Sequence, residues 1–362
     1  MDRRKALKIA GGGGLAAILA SGTAPAYSQG KKEWRLQQTW AKTAPGLGTG
    51  GNVFAEFVNK ATNGAINIRV YSGGEIVPPF QTMDAVSNGT IQMGFGYVTY
   101  WAGQIPAMNY LGTLPFGLTV QEHNAWFMYG GGQQLAEKLY AKLGVQFMLG
   151  GNTITQPAGW YNKEIKTLAD YKGLKMRIGG LGAKVVQALG GTPVSMPLGE
   201  VPQAMQSGAI DAIEFVGPLN DLGAGLHKVA KYYYWPGWLE PSGPYDFFIN
   251  EKAWGTLSPS EKEIFRAGAA LALQATISEF IAKNAAAYNQ MVGELKVQVR
   301  QIPDEAVRGI ADVAWKVIEA EAKDADSKAV LASVMKFRRE ILPYMRVSEF
   351  DFMRVRNLVK FG

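Results

Sequence analysis

From Ser258 to Leu295 no strong helix breaker interrupts the chain, and Ala, Leu, Ile and Phe recur at helical spacing. The stretch opens on Ser258-Pro259-Ser260-Glu261, a capping serine followed by an early proline and an acid in the first turn. A helix of about 37 residues is predicted, about 55 Å long at 1.5 Å per residue. One compact lobe has no use for such a length. The helix is therefore expected to brace two.

The chain before it supplies two lobes. Residues 34–40, 66–71 and 91–97 read as strands, and 51–61 and 80–87 as helices between them, a βαβαβ opening that predicts a mostly parallel sheet. A second series starts near residue 145. Its strands are predicted at 145–149, 174–178, 193–196 and 210–215, with helices at 183–189 and 201–206. No Pro/Ser-rich linker separates the series, so two lobes joined by crossing strands are expected rather than separate beads. The expected division is 31–153 plus 242–285 for the first lobe, and 154–241 plus 286–362 for the second with the C-terminal helices.

The first 26 residues read as an export signal: Arg3, Arg4, Lys5 and Lys8, a short glycine-diluted apolar run, then Ala24-Pro25-Ala26 as a cleavage site. The paired arginines and weak apolar run point to the twin-arginine route, with a general secretory signal as the alternative. This segment carries +3 of the formal charge of +7. The remaining excess is mild and holds no dense Lys/Arg run, so nucleic acid is not an expected partner. Cysteine is absent and only His123 and His227 occur. That excludes disulfide scaffolds, iron–sulfur clusters, thiol nucleophiles and multi-histidine metal sites. No dinucleotide fingerprint, phosphate-binding loop or Gly-x-Ser-x-Gly elbow stands in the mature chain.

The chemistry-bearing residues gather between 150 and 240. Arg177 closes a predicted strand and precedes Gly179-Gly180, where a guanidinium could meet a carboxylate at a strand's carboxyl end. Glu214 ends the apolar run 210–215 and Glu240 follows an aromatic run, so both carboxylates are expected to be buried. A buried charge must be paired or hold a cation. With the Gln156 amide and a backbone carbonyl they could hold a hard cation; two unrelated salt-bridged glutamates are the alternative. Tyr97, Tyr100, Trp101, Trp160, the run 232–235 and Trp238 could line a pocket, or could be core. A glutamate pair could also serve as acid and base in a hydrolase.

Residues 168–178, LADYKGLKMRI, and 196–214, MPLGEVPQAMQSGAIDAIE, resemble the solute-binding proteins of tripartite ATP-independent periplasmic (TRAP) transporters of the C4-dicarboxylate-binding type; the first-lobe segments 73–76 and 83–89 fit as well. The resemblance implies a two-lobed periplasmic-binding-protein-like α/β fold that closes on a ligand, with a long helix bracing both lobes. It implies a periplasmic protein, not an enzyme, that hands a small organic acid to membrane permease subunits. Residues 214–218 and 236–240 resemble the branch that binds 2-oxo or 2-hydroxy monocarboxylates with a metal. There, residues matching Gln156, Glu214, the Phe215 carbonyl and Glu240 hold a sodium or calcium ion, which bridges to the ligand, and Arg177 matches the carboxylate-binding arginine. Tyr100, Trp101 and Trp238 are expected to wall the ligand, with no catalytic cofactor. Binding of a dicarboxylate or sugar acid without metal is the alternative within the family. Phe215 stands where the pattern has Trp, and Leu239 where an aromatic is common, which leaves room for a longer alkyl chain. Some members dimerise through C-terminal helices, and the helical tail after residue 303 is long enough for a homodimer.

Overall fold

The computed structural model describes residues 31–196 and 200–359. The export signal expected over residues 1–26 lies outside them. Eleven strands are found among the described residues: β1 Lys32–Gln38, β2 Ile66–Tyr71, β3 Met93–Tyr97, β4 Val145–Asn152, β5 Gly159–Tyr161, β6 Lys175–Arg177, β7 Thr192–Val194, β8 Ala212–Ile213, β9 Tyr232–Trp235, β10 Pro244–Asn250 and β11 Gln298–Gln301. They form two sheets, β2-β1-β3-β10-β4 and β11-β9-β5-β8-β6-β7, one for each lobe.

The first sheet departs from the expected parallel arrangement at its centre. β1 pairs parallel with β2 and β3, but β10 inserts antiparallel between β3 and β4. All seven residues of β10 are buried. Tyr245, Phe247 and Ile249 enter one cluster with Phe54 and Phe95, whereas Phe248 enters the cluster of Trp101, Trp126 and Tyr140 on the other face. That is the two-residue alternation of a strand buried on both sides. The second sheet is also mixed, with β5 antiparallel to both β8 and β9.

Of the helices, those that matter for the site are α1 Thr49–Ala61, α2 Val120–Tyr129, α3 Gly180–Ala188, α4 Pro218–Gly223, α5 Pro259–Gly293, α6 Asp304–Glu321, α7 Ala325–Val347 and α8 Glu349–Arg356. The long helix α5 has 35 residues and begins where its sequence signals place it. The Ser258 hydroxyl accepts the Glu261 amide at 3.2 Å, and the Glu261 carboxylate accepts the Ser258 amide at 2.7 Å. Phe265, Ala269, Ala272 and Phe280 pack into the first-lobe core, while Met291 reaches the second-lobe cluster of Trp160 and Tyr233. One helix thus braces both lobes.

Helix α6 is a second brace. Ala306, Ile310 and Ala314 pack in the second lobe and Ile318 in the first. The expected division groups everything after residue 286 with the second lobe, but α7 seats Val330 and Val334 beside Trp126 and Phe127 of the first. Strand β11 gave no pattern to read: three of its four side chains are polar and exposed, and it adds at the edge of the second sheet parallel to β9.

Two segments cross between the lobes, 153–158 after β4 and 236–243 after β9, and they are bonded to each other. The Thr153 amide donates to the Gly243 carbonyl at 2.9 Å and the Gln156 amide to the Glu240 carbonyl at 3.0 Å. Asn152 donates to the Ser242 hydroxyl at 2.9 Å, and His123 of α2 meets that hydroxyl at 2.8 Å. Burial pushes His123 down to about 4, so it is a neutral structural group.

Candidate functional site

The paired crossings bring Gln156 and Glu240 face to face. Gln156 Nε2 donates to Glu240 Oε2 at 2.6 Å and to Thr153 Oγ1 at 3.0 Å. Tyr97, the last residue of β3, donates its hydroxyl to the same Glu240 oxygen at 2.8 Å. An amide nitrogen against a carboxylate is the only favourable orientation, so the Gln156 side chain is fixed with its oxygen turned elsewhere. The close crossing depends on Gly237, where a Cβ would stand 1.7 Å from the Gln156 carbonyl oxygen.

The second lobe contributes from its strand ends. β6 and β8 are parallel with Arg177 opposite Ile213, so Arg177 and Glu214 leave the sheet at the same carboxyl edge. Arg177 Nη1 donates to the Glu214 carbonyl at 3.1 Å, and the Glu214 amide to the Arg177 carbonyl at 3.2 Å. Among the described residues neither Arg177 nor Glu214 nor Glu240 stands in an ion pair, so the alternative of two salt-bridged glutamates is not what is found.

Two buried acceptors in this cluster lack a donor, Gln156 Oε1 and Glu214 Oε1. Burial, and then the nearby Glu240 charge, push Glu214 well above the carboxylate range, and Arg177 only partly opposes them. Burial likewise lifts Glu240 to about 7, against the Tyr97 hydroxyl, Arg177 and the Gln156 amide. Arg177 favours ionisation of both carboxyl groups but does not offset their burial. What would do so is a cation. Orphaned oxygens beside two carboxyl groups that resist ionisation are the donor set a hard ion completes. Among the described residues no group of three or more His, Cys, Asp or Glu is gathered. An ion here would draw on neutral amide and carbonyl oxygens besides the two glutamates.

The aromatic residues divide. Tyr100 is 43% exposed, edge-on to Tyr97 with ring centroids 5.4 Å apart, and faces the cluster. Trp101 does not. It is 1% exposed and donates its indole N–H to Asp246 at 3.0 Å, standing behind Tyr100 in the core. Trp238 is also core, 3% exposed and stacked on Phe116. Trp160 and Tyr233 stack inside the second lobe. Phe215 is half-buried between the two lobes' clusters. Beside Glu240 a narrow cleft is lined by Thr99, Asn109, Thr113 and the glycines 179, 180 and 182, with Leu239. Gly182 lets Leu239 pack closely there: a Cβ would lie 2.0 Å from Leu239 Cδ1, so that side chain would have to shift. Thr99 and Asn109 carry no local motif, whereas Tyr97 is one of the aromatics expected to be able to line a pocket, and its hydroxyl reaches Glu240.

Residues 37–323 match the family described as bacterial extracellular solute-binding protein, family 7. The chain is 37% identical over 324 residues to the monocarboxylate 2-oxoacid-binding periplasmic protein of Nostoc sp., covering 88% of this chain and 87% of that one. A TRAP transporter solute-binding protein from Bordetella bronchiseptica, a dimer holding calcium and picolinate in one active site, has a TM-score of 0.84 at 34% identity, over 91% of this chain and 100% of that one. A TRAP periplasmic solute-binding protein from Pseudoalteromonas atlantica with bound sodium and pyruvate scores 0.85 at 32% identity, over 90% and 99%.

Proposed function

We propose, for a chain that belongs to the bacterial extracellular solute-binding proteins of family 7, that it captures a short 2-oxo or 2-hydroxy monocarboxylate together with a sodium or calcium ion. The family serves TRAP transport and is not one of enzymes, so the raised Glu240 is not read as a general acid. The observation that carries the proposal is the pair of buried, donorless oxygens on Gln156 and Glu214 beside Glu240, with Arg177 at the same strand ends.

Gln156, Glu214, the Phe215 carbonyl and Glu240 would hold the cation, whose role is to bind the ligand's carboxylate and 2-oxygen electrostatically. Arg177 supplies a planar two-pronged donor for the carboxylate. Tyr100, the exposed aromatic at the cluster, walls the ligand, and Leu239 faces the cleft where an alkyl group would lie. Trp101 packs edge-on behind Tyr100, whereas Trp238 belongs to the second-lobe core. The Nostoc relative named for 2-oxoacid binding, and the solved relatives holding picolinate with calcium and pyruvate with sodium, support this class over metal-free dicarboxylates or sugar acids.

Delivery is to membrane permease subunits of a TRAP transporter, from the periplasm, after export directed by residues 1–26. The lobes divide at 153/154 and 241/242 as the sequence suggests, amended by α7 riding on the first lobe. Helix α8 buries no residue, and Tyr344, Val347, Phe350, Phe352 and Leu358 stand exposed along the tail. Together with the dimeric Bordetella relative, this supports a homodimer formed through the tail.

The deciding experiment is thermal unfolding of the mature protein against short organic acids, with and without chelator. Stabilisation by pyruvate that chelator abolishes is expected, about 2.7 kcal/mol at 100 times the dissociation constant. Stabilisation by dicarboxylates or sugar acids that ignores chelator would overturn the cation site and keep the family.

A further inference from the structure

Seven residues beyond Glu214 lies a buried carboxylate that none of the chemistry above uses. Asp221, in α4, is 0% exposed. Its Oδ2 accepts the Trp160 indole N–H at 2.9 Å and the Tyr233 hydroxyl at 3.0 Å. Its Oδ1 accepts the amides of Val216 at 3.3 Å and Gly217 at 3.0 Å. Three of the four neighbours, the indole and the two amides, can only donate, and the Tyr233 hydroxyl is free to donate as well, so the surroundings favour an anion.

The Val216 N–H and the Phe215 carbonyl belong to one peptide plane. In a trans peptide they point in opposite directions, so a group that fixes the N–H also fixes the carbonyl. A carboxylate on the N–H further polarises the plane and enriches the carbonyl oxygen as a donor. The Leu219 amide is held from the other side by Asn284 of α5 at 2.8 Å, so the turn 215–219 is pinned between the second-lobe core and the brace.

We propose that Asp221 is a positioning residue for the cation site, aiming and enriching the Phe215 carbonyl through the Val216 and Gly217 amides. The inference rests on the cation reading given above. It explains how a backbone oxygen, with no side chain to be packed into place, can serve reproducibly as a ligand: the orientation is set from behind by a buried charge.

The test uses the full mature protein and cation alone, without organic acid. Terbium luminescence sensitised by the site tyrosines, competed with calcium, gives the cation dissociation constant. In Asp221→Asn the carboxamide NH2 must face one pair of donors, and partners of this kind affect metal affinity by about 10–100-fold; a weakening in that range is expected. The double variant Trp160→Phe, Tyr233→Phe removes only the donors on Oδ2 and serves as the control for lost stability. It is expected to unfold at lower temperature while binding cation within about twofold of wild type. Cation binding unchanged in a folded D221N overturns the positioning role and leaves the cation site standing. Absence of calcium and terbium binding in wild type overturns both. Should D221N fail to fold, amide hydrogen exchange of wild type answers the same question. Calcium is expected to slow Val216 and Gly217 by about tenfold, and unchanged exchange at both overturns the proposal.

Discussion

The substitution Glu240→Gln removes a charge that burial opposes and a cation requires, so its effect on stability should change sign with calcium. An unfolded glutamate ionises near 4.5, whereas Glu240 in the folded protein is lifted to about 7. Between those values the folded state keeps a proton that the unfolded state has released, so stability falls as pH rises through the window. Above pH 7 the whole difference is felt, about 3 kcal/mol at 1.36 kcal/mol per unit. Glutamine escapes that cost. It also offers one acceptor where Tyr97 and Gln156 now donate to a carboxylate, a loss of about 1 kcal/mol. The net expectation at pH 8 without cation is a gain of about 2 kcal/mol, or about 3 °C in Tm for a chain of this size. At pH 5 the charge contribution shrinks below about 1 kcal/mol and the gain vanishes. Calcium at 100 times its dissociation constant should raise wild-type Tm by about 4 °C, from about 2.7 kcal/mol of binding, and the variant hardly at all. Differential scanning calorimetry at pH 5 and 8, with calcium or chelator, reads all four values. A variant that melts below wild type at pH 8 in chelator, yet keeps the full calcium shift, refutes the reasoning.

Three further outcomes are expected. Calcium affinity should climb with pH between about 6 and 7, by up to about tenfold per unit, because Glu240 must give up its proton; calorimetric titration in buffers of different ionisation heat should show at least one proton released. Arg177→Ala should weaken pyruvate binding by about 2–5 kcal/mol, the cost of truncating one member of a desolvated charge pair, while terbium binding alone is retained; pyruvate affinity at wild-type strength would remove Arg177 from the site. Gly182→Ala places a Cβ 2.0 Å from Leu239 Cδ1 and should cost about 1–3 kcal/mol, and Leu239→Ala in the same chain should restore most of the Tm.

The charged members of the site were legible because burial of a charge leaves a mark in sequence. Glu214 at the end of an apolar run, Glu240 after an aromatic run and Arg177 before paired glycines each conflict with their surroundings, and the structure gathers all three with Gln156. The long helix was legible for a similar reason: the capping serine, the proline and the absence of breakers act locally. Tyr97 was legible only as one of several aromatics that could line a pocket, because its partner Glu240 lies far along the chain. Asp221 was not legible, because its burial comes from Trp160 and Tyr233 on neighbouring strands rather than from the nearby 216–217 amides alone. Trp101 and Trp238 look alike to Tyr100 in sequence, and only packing decides that Tyr100 is exposed and the two tryptophans are core. The parallel order of the first sheet failed at β10 because no strand was expected at 244–250: buried on both faces, it shows no apolar–polar alternation to mark it.

That inserted strand also has a meaning for how the chain is made. β3 and β4 are neighbours only through β10, which follows the whole 159–235 stretch of the second sheet. During synthesis the first 152 residues can pair β1, β2 and β3, yet Phe95 and Phe147 wait without Phe247 and Phe248 between them. The centre of the first sheet is thus the last piece of it to leave the ribosome. The order of assembly follows: strands β5 to β9 of the second sheet emerge while the first is unfinished, and β11 with α6 completes the second only after β10, across long loops that slow closure. Two open strand edges stay exposed until residue 250 has emerged, and it is in that interval that the chain is most exposed to aggregation.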